Sequence, residues 1–354
     1  MLSRLKLDPF LFGLVLVVGL ALLWPAPGVT GGPLYADKAA TYGIAVIFFL
    51  YGVSLAPDRL WASATRWKLH LVVQLATFGL FPLMVLLAMP LLNRVLPEEV
   101  GVGFFFLAAL PSTVSSSVAM TSLARGNVPV AIFNASISSV IGVFVTPLLM
   151  ASFLHATGGT MPLGPVITKL VLMVMLPLGL GQMVRPLVRA WVERHKAVVK
   201  VADRLVILAI VYNSFCDSVA AGVWSSQSPL LVFEIAAFVL ALFAVVYLAV
   251  GLVCRLFGFN MGDAIAVKFC ASKKSLATGL PMAHVMFGAL PQLSLIITPI
   301  MVYHFLQLVI VGVIANRFAS RADALAIMEA EESEPSLIAE DDSLPIPEPA
   351  RTRA

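Results

Sequence analysis

Charge is what this chain has least of. Only 12% of its 354 residues are Asp, Glu, Lys or Arg, against 60% hydrophobic residues, and its mean hydropathy is +0.98. A soluble domain is about a quarter charged, so this composition excludes one and indicates a polytopic membrane protein. Cysteine is equally scarce. Cys216, Cys254 and Cys270 are odd in number and lie in or beside apolar runs, which excludes a disulfide framework and a cysteine-based metal site. They are expected to be packing residues. A Walker loop, a dinucleotide fingerprint, a zinc-binding helix and a nucleophile elbow are all missing. The chain is therefore not expected to be an enzyme, to use a cofactor or to draw on ATP.

What charge there is falls unevenly. Nine of the nineteen acids lie between Asp323 and Glu348, while the chain up to Arg321 holds 21 basic and 10 acidic residues. Such an excess in an apolar chain expresses membrane topology and not nucleic-acid binding. Apolar runs of spanning length, separated by Gly/Pro or charged breaks, predict ten helices. They cover approximately 9–24, 39–56, 69–90, 100–123, 128–153, 165–185, 203–221, 230–254, 263–287 and 292–316. The first is a span and not a cleaved signal. Asp8-Pro9 interrupts its basic flank, and Trp24-Pro25-Ala26-Pro27 is a poor cleavage site.

With an even count of spans, both termini share a side. Loops and span ends on that side carry fifteen Lys or Arg residues between Arg4 and Arg321, and the other side only Lys38, Arg94 and Lys169. The bias predicts cytoplasmic termini and a multi-pass protein of the cell membrane, the inner membrane in a bacterium. Ten spans divide as five plus five about the basic stretch from Arg185 to Arg204. An odd count per half inverts the second half, giving an inverted repeat with half one at about 8–155 and half two at about 164–318. An acidic, disordered cytoplasmic tail is expected over 319–354.

Two of the predicted spans are broken by polar residues, and they are the penultimate spans of their halves. The fourth carries Pro111-Ser112-Thr113-Val114-Ser115-Ser116-Ser117, and the ninth carries Ala271-Ser272-Lys273-Lys274-Ser275. Each is followed by a Gly-x-x-Pro turn, Gly126 to Pro129 and Gly288 to Pro291. Lys274 lies 11 residues past Asp263, about 16 Å along a helix and so near the centre of a bilayer. An ammonium at that depth needs protein, water or a partner around it. Paired interruptions of this kind point to a midplane site, with free amides for an anion and free carbonyls for a cation.

Ser115, Ser116, Ser117, Ser272, Lys273, Lys274 and Ser275 are the central candidates. On a helix Lys273 and Lys274 would point about 100° apart, so one faces the site while the other pairs with carbonyls or reaches a crevice. Lys268 is a third pathway lysine or a snorkelling anchor. His304, with Gln307 at i+3, is a proton relay or a packing residue. Asp217 is a gate or a lysine partner, and Asn134 and Gln74 (one turn from His70) supply oxygens or bond neighbouring helices.

Six pieces together resemble the bile acid:sodium symporter family: Val29-Thr30-Gly31-Gly32-Pro33-Leu34, Trp67-Lys68-Leu69-His70-Leu71, Ala131-Ile132-Phe133-Asn134, Tyr212 to Asp217, Phe269 to Leu276, and Tyr303-His304. The nearest branch is the one with vertebrate sodium/bile acid cotransporter 7 and its bacterial relatives, and the resemblance spans roughly 8–318. It implies an all-α fold of ten helices in a panel and a core domain, with the broken fourth and ninth helices crossing. It also implies transport of organic anions with sodium. Aligned on Lys274-Ser275-Leu276-Ala277, Lys268 falls where the sodium-coupled branch has a coordinating glutamate, and two oxygen ligands fall on Ala131 and Ala135. Ser116, Ser117 and Gln74 are the remaining sodium candidates, and no metal site is assigned beyond them.

The expected function is secondary active transport of a small organic anion by alternating access, in the lipid bilayer, with sodium or a proton as the candidate coupling ion. The alternative is a non-transporting membrane regulator or scaffold that keeps the fold and uses the acidic tail as a partner arm; a membrane enzyme comes third. Deleting residues 322–354 separates the first two. A transporter keeps its vesicle flux without the tail, whereas a regulator loses its cellular effect.

Overall fold

The computed structural model describes residues 9–54, 66–157, 168–169, 171–288 and 290–333. All regular structure among them is helical. In chain order the α-helices are α1 (Pro9–Leu23), α2 (Ala36–Ser54), α3 (Trp67–Leu75), α4 (Phe81–Val95), α5 (Glu98–Ala109), α6 (Ser115–Leu123), α7 (Val128–Ala156), α8 (Leu176–Arg194), α9 (Lys196–Ala220), α10 (Leu231–Leu256), α11 (Met261–Ala271), α12 (Leu276–Phe287) and α13 (Leu293–Ser333). A π-helical turn at Ala76–Leu80 joins α3 to α4 in one continuous rod, and another at Val171–Met175 leads into α8.

Among the described residues six stretches are long and apolar enough to cross a membrane: Ala36–Ser54, Trp67–Val95, Val128–Ala156, Val171–Arg194, Leu231–Leu256 and Leu293–Arg321. The protein is a polytopic membrane protein. The shortfall from ten has physical causes. α1 is a shorter apolar helix, the fourth and ninth predicted spans are each split into half-helices, and α9 opens with Lys196, Lys200, Asp203 and Arg204. Large apolar side chains face outward, as a lipid solvent permits: Phe233, Leu248, Leu252 and Leu256 on α10 are all more than half exposed. The last helix continues past the predicted span end at about 316 and runs to Ser333. The expected tail beyond it, 334–354, lies outside the described residues.

The helices pack in two sets. α1, α2, α8 and α9 contact one another, while α3 to α7 and α10 to α13 form the other, with α9 touching α12 and α13. Glycine makes the first set possible. A Cβ on Gly52 would collide with the Leu178 carbonyl of α8, and one on Gly181 with the Phe49 carbonyl of α2. Small residues let membrane helices approach to backbone contact where no hydrophobic force drives them together. Gln182 Nε2 then donates across the seam to Gly52 O at 2.8 Å.

The second set is tied at one end by a buried carboxylate. Asp263 accepts from Arg66 at 2.6 Å, Asn127 at 2.7 Å and Asn260 at 2.8 Å, so residues from three chain segments meet on one group. Asn260 also caps α11, accepting from the Asp263 amide at 2.9 Å. Gly181→Leu tests the glycine seam. Forcing a branched side chain between these backbones should destabilise the protein by about 1–3 kcal/mol, read as a lower unfolding temperature of the purified protein.

Candidate functional site

α5 stops at Ala109 because Pro111 lacks an N–H and biases the residue before it away from the helical region; Leu110 is extended, with φ −72 and ψ 153. α11 stops at Ala271, and the chain re-enters a helix only after Ser275, whose hydroxyl caps α12 by accepting from the Thr278 amide at 3.2 Å. The two breaks pack on each other. Ser275 N donates to Pro111 O at 2.9 Å, and Ser112 Oγ donates to Cys270 O at 2.7 Å.

Backbone released from a helix inside an apolar protein must find other partners. Here side chains provide them. Gln307 of α13 donates to Lys274 O and accepts from Lys274 N, both at 2.8 Å, while Tyr303 Oη donates to Ser272 O at 2.7 Å. On the other break, Thr146 Oγ1 donates to Ala109 O at 2.7 Å, and Ser138 Oγ accepts from Ser112 N at 3.0 Å.

Both break lysines are fully buried, and neither sits in a helix. Lys273 Nζ donates to Ser116 O at 2.8 Å. Lys274 Nζ donates to three carbonyls, Thr77 at 2.7 Å, Ala108 at 2.6 Å and Leu110 at 2.8 Å, with the Phe81 ring centroid at 4.2 Å. The division foreseen for the pair, one lysine to the site and one to carbonyls, becomes carbonyls for both.

In front of the breaks lies a cleft of ≈ 1220 Å³ between the two helix sets. Its floor includes Thr113, Ser115, Ser116, Ser275 and Thr278, with His304 at one side and apolar walls such as Phe48, Val143, Leu178 and Ile207. Thr113 Oγ1 links Ser116 Oγ at 2.8 Å and Ser117 Oγ at 3.0 Å. α6 and α12 both start here, so two positive helix ends lie at the floor. Towards the mouth stand Arg185, Arg189, Lys196, Lys200 and Arg204, with only Glu193 and Asp203 against them. Lys196, Lys200 and Arg204 all come from α9, one turn apart along one side of the helix.

Ser115, Ser116, Ser275 and His304 thus line the cleft, whereas Ser117, Ser272, Lys273 and Lys274 lie behind its floor. Other candidates fall elsewhere. Lys268 sits between the rings of Tyr247 (5.4 Å) and Phe318 (4.9 Å). Asp217 accepts from the amide and hydroxyl of Thr30, both at 2.7 Å, and binds no lysine through any of these contacts. Asn134 is buried, donating to Val130 O at 3.0 Å, and Gln74 donates to Asn134 O at 3.3 Å. Sequence reasoning missed Thr77, Phe81 and the cationic mouth. The basic stretch 185–204 was visible, but a topology signal and a binding rim look alike in one dimension.

A polytopic helical protein with paired helix breaks under a deep cleft belongs to the membrane transporters. Sequence comparison agrees: residues 8–320 match the SBF-like CPA transporter family, and the chain belongs to it. It is 40% identical over 324 residues to "Uncharacterized protein PA2026" of Pseudomonas aeruginosa, covering 92% of this chain and 96% of that protein. It is 33% identical over 330 residues to "Sodium/bile acid cotransporter 7" of Rattus norvegicus, covering 90% and 95%. Against "Sodium/bile acid cotransporter 7-A" of Xenopus laevis the identity is 34% over 339 residues, covering 92% and 97%. The family and these relatives make the chain a transporter of the bile acid:sodium symporter type and not an enzyme.

Gln307→Leu tests the break itself. It leaves a buried amide and a buried carbonyl of Lys274 unpaired, which should destabilise the protein by about 2–5 kcal/mol in thermal or denaturant unfolding.

Proposed function

We propose that the protein moves a small organic anion across the cell membrane by alternating access. Ten helices would form two inverted halves, each broken pair counting as one helix, with α1, α2, α8 and α9 as a panel and the rest as a core. The packing supports the two-fold relation. α1 contacts α9 as α2 contacts α8, and α5 contacts α13 as α11 contacts α7, pairings that exchange when the halves are swapped. The glycine seam keeps the panel rigid, and the hydrogen-bonded breaks keep the core rigid. Motion then falls at the cleft between them. The basic mouth belongs to the cytoplasmic side by the positive-inside rule, as do both termini, so this conformation faces inward.

One observation carries the substrate class: the cleft is cationic at its mouth and ends on two positive helix termini with hydroxyls between them. An anionic group would exchange hydration for the Ser115, Ser116 and Ser275 region while an apolar body lies against Phe48, Val143 and Ile207. Lys273, bound to the Ser116 carbonyl behind the floor, adds positive potential there without touching the ligand.

The test is counterflow of a panel of organic anions in liposomes holding the purified full chain. Ser116→Ala should weaken anion affinity about tenfold, the worth of one hydrogen bond to a charged group. Lys200→Gln with Arg204→Gln should slow uptake most at low ionic strength, because mouth charges act through a screened field. Absence of flux for every anion, or flux equal in all variants, overturns this reading.

A further inference from the structure

Lys274 has an environment that a free metal cation would recognise. Its ammonium receives three backbone carbonyls at 2.6–2.8 Å and lies over the face of Phe81, with no residue of opposite charge among these contacts. Each carbonyl is available for a structural reason. Ala108 and Leu110 belong to the last turn and exit of α5, the negative end of a helix dipole, and Thr77 lies in the π-helical turn, where regular i→i−4 bonding is interrupted. Orphan carbonyls deep in an apolar core need donors, and three of them on one nitrogen match the three N–H groups of an ammonium.

We infer that the Lys274 ammonium is the resident cation of this transporter, filling from within the chain the carbonyl site at the helix breaks, so that no free sodium is taken up there. Among the described residues no group of three or more His, Cys, Asp or Glu side chains could hold a metal ion. Ala131 and Ala135 offer no side-chain oxygen, and Lys268 is held between two rings. Buried oxygens without hydrogen-bond partners do exist at Gln74, Thr77 and Asn134. A cation on the Thr77 hydroxyl, however, would be a neighbour of the ammonium on the same residue's carbonyl, and like charges repel strongly where water is scarce. The resident-cation assignment concerns occupancy of the site and stands independently of transport. Its consequence for coupling rests on the transport reading proposed above.

The two parts are measured separately. In thermal unfolding of the purified full chain, exchanging sodium for potassium or choline should leave the transition unmoved, since a ligand stabilises only where it binds the native state. Lys274→Ala should lower the transition by about 5 °C or more, as buried carbonyls lose their donor. n-Propylammonium, which replaces the missing atoms, should restore it. The neutral isostere n-propanol should not. Where Lys274→Ala cannot be purified, Lys274→Met keeps the volume without the charge and should be destabilised without rescue by either compound. Stabilisation of the unmodified protein by sodium, equal rescue by propanol, or a Lys274→Met protein as stable as the parent would each overturn the assignment. In liposomes, anion flux should be equal in sodium and choline. A steep sodium requirement overturns the coupling consequence, whereas absence of any flux overturns the transport reading and leaves the unfolding result standing.

Discussion

The rest of the structure depends on how two interrupted helices satisfy one another. Between Leu110 and Val114, and again between Ser272 and Ser275, the backbone leaves the helix inside an apolar protein. An N–H or C=O buried there without a partner costs about 1–3 kcal/mol. The two breaks remove part of the problem by bonding each other, Ser275 N to Pro111 O and Ser112 Oγ to Cys270 O. What remains is mostly carbonyl, because helix C-termini leave acceptors behind. Side-chain donors answer that surplus: Tyr303, Gln307, Thr146 and the two lysines. The lysines are therefore structural counterparts of the breaks, and the cleft in front of them exists because they hold its floor in place.

Much of this was legible in one dimension. Pro111 with its hydroxyls, and two lysines inside an apolar run, locate both breaks to within a few residues, since only an unusual local backbone tolerates them there. Gln307 was noticed for its helical spacing from His304, yet its partner was not deducible: the Gln307–Lys274 pair is a contact across 33 positions. The lysine geometry failed for a clearer reason. A 100° separation holds only while the chain is helical, and at Lys273 and Lys274 it is not. Lys268 shows the same limit from another side. Its rings come from Tyr247 on α10 and Phe318 on α13, and nothing at Lys268 itself announces them.

The two helix sets use different chemistry at their interfaces. Within α1, α2, α8 and α9 the contact is backbone to backbone through Gly52 and Gly181, which depends on shape and tolerates no side chain. Within the other set, directed bonds run from Asp263 at one end to the breaks near the centre. The surface between the sets is instead a solvent-accessible cleft over much of its length, joined chiefly where α9 meets α12 and α13.

Electrostatics along that cleft run in one direction. The mouth holds five cations against two carboxylates, one of which pairs with Arg189 at 2.7 Å and the other accepts from Tyr51 at 3.3 Å. The floor carries no side-chain charge, only hydroxyls, helix ends and the lysine hidden behind Ser116. Exposed mouth charges are screened by salt within about 8 Å under physiological conditions, so they gather anions without holding them firmly. Dipoles at the apolar floor act over a shorter range and with less screening. They attract an anion more weakly from afar and orient it more strictly on arrival. On the proposed anion reading, a rim that collects and a floor that orients would also limit the energy of the bound state, and a transporter has to release what it binds.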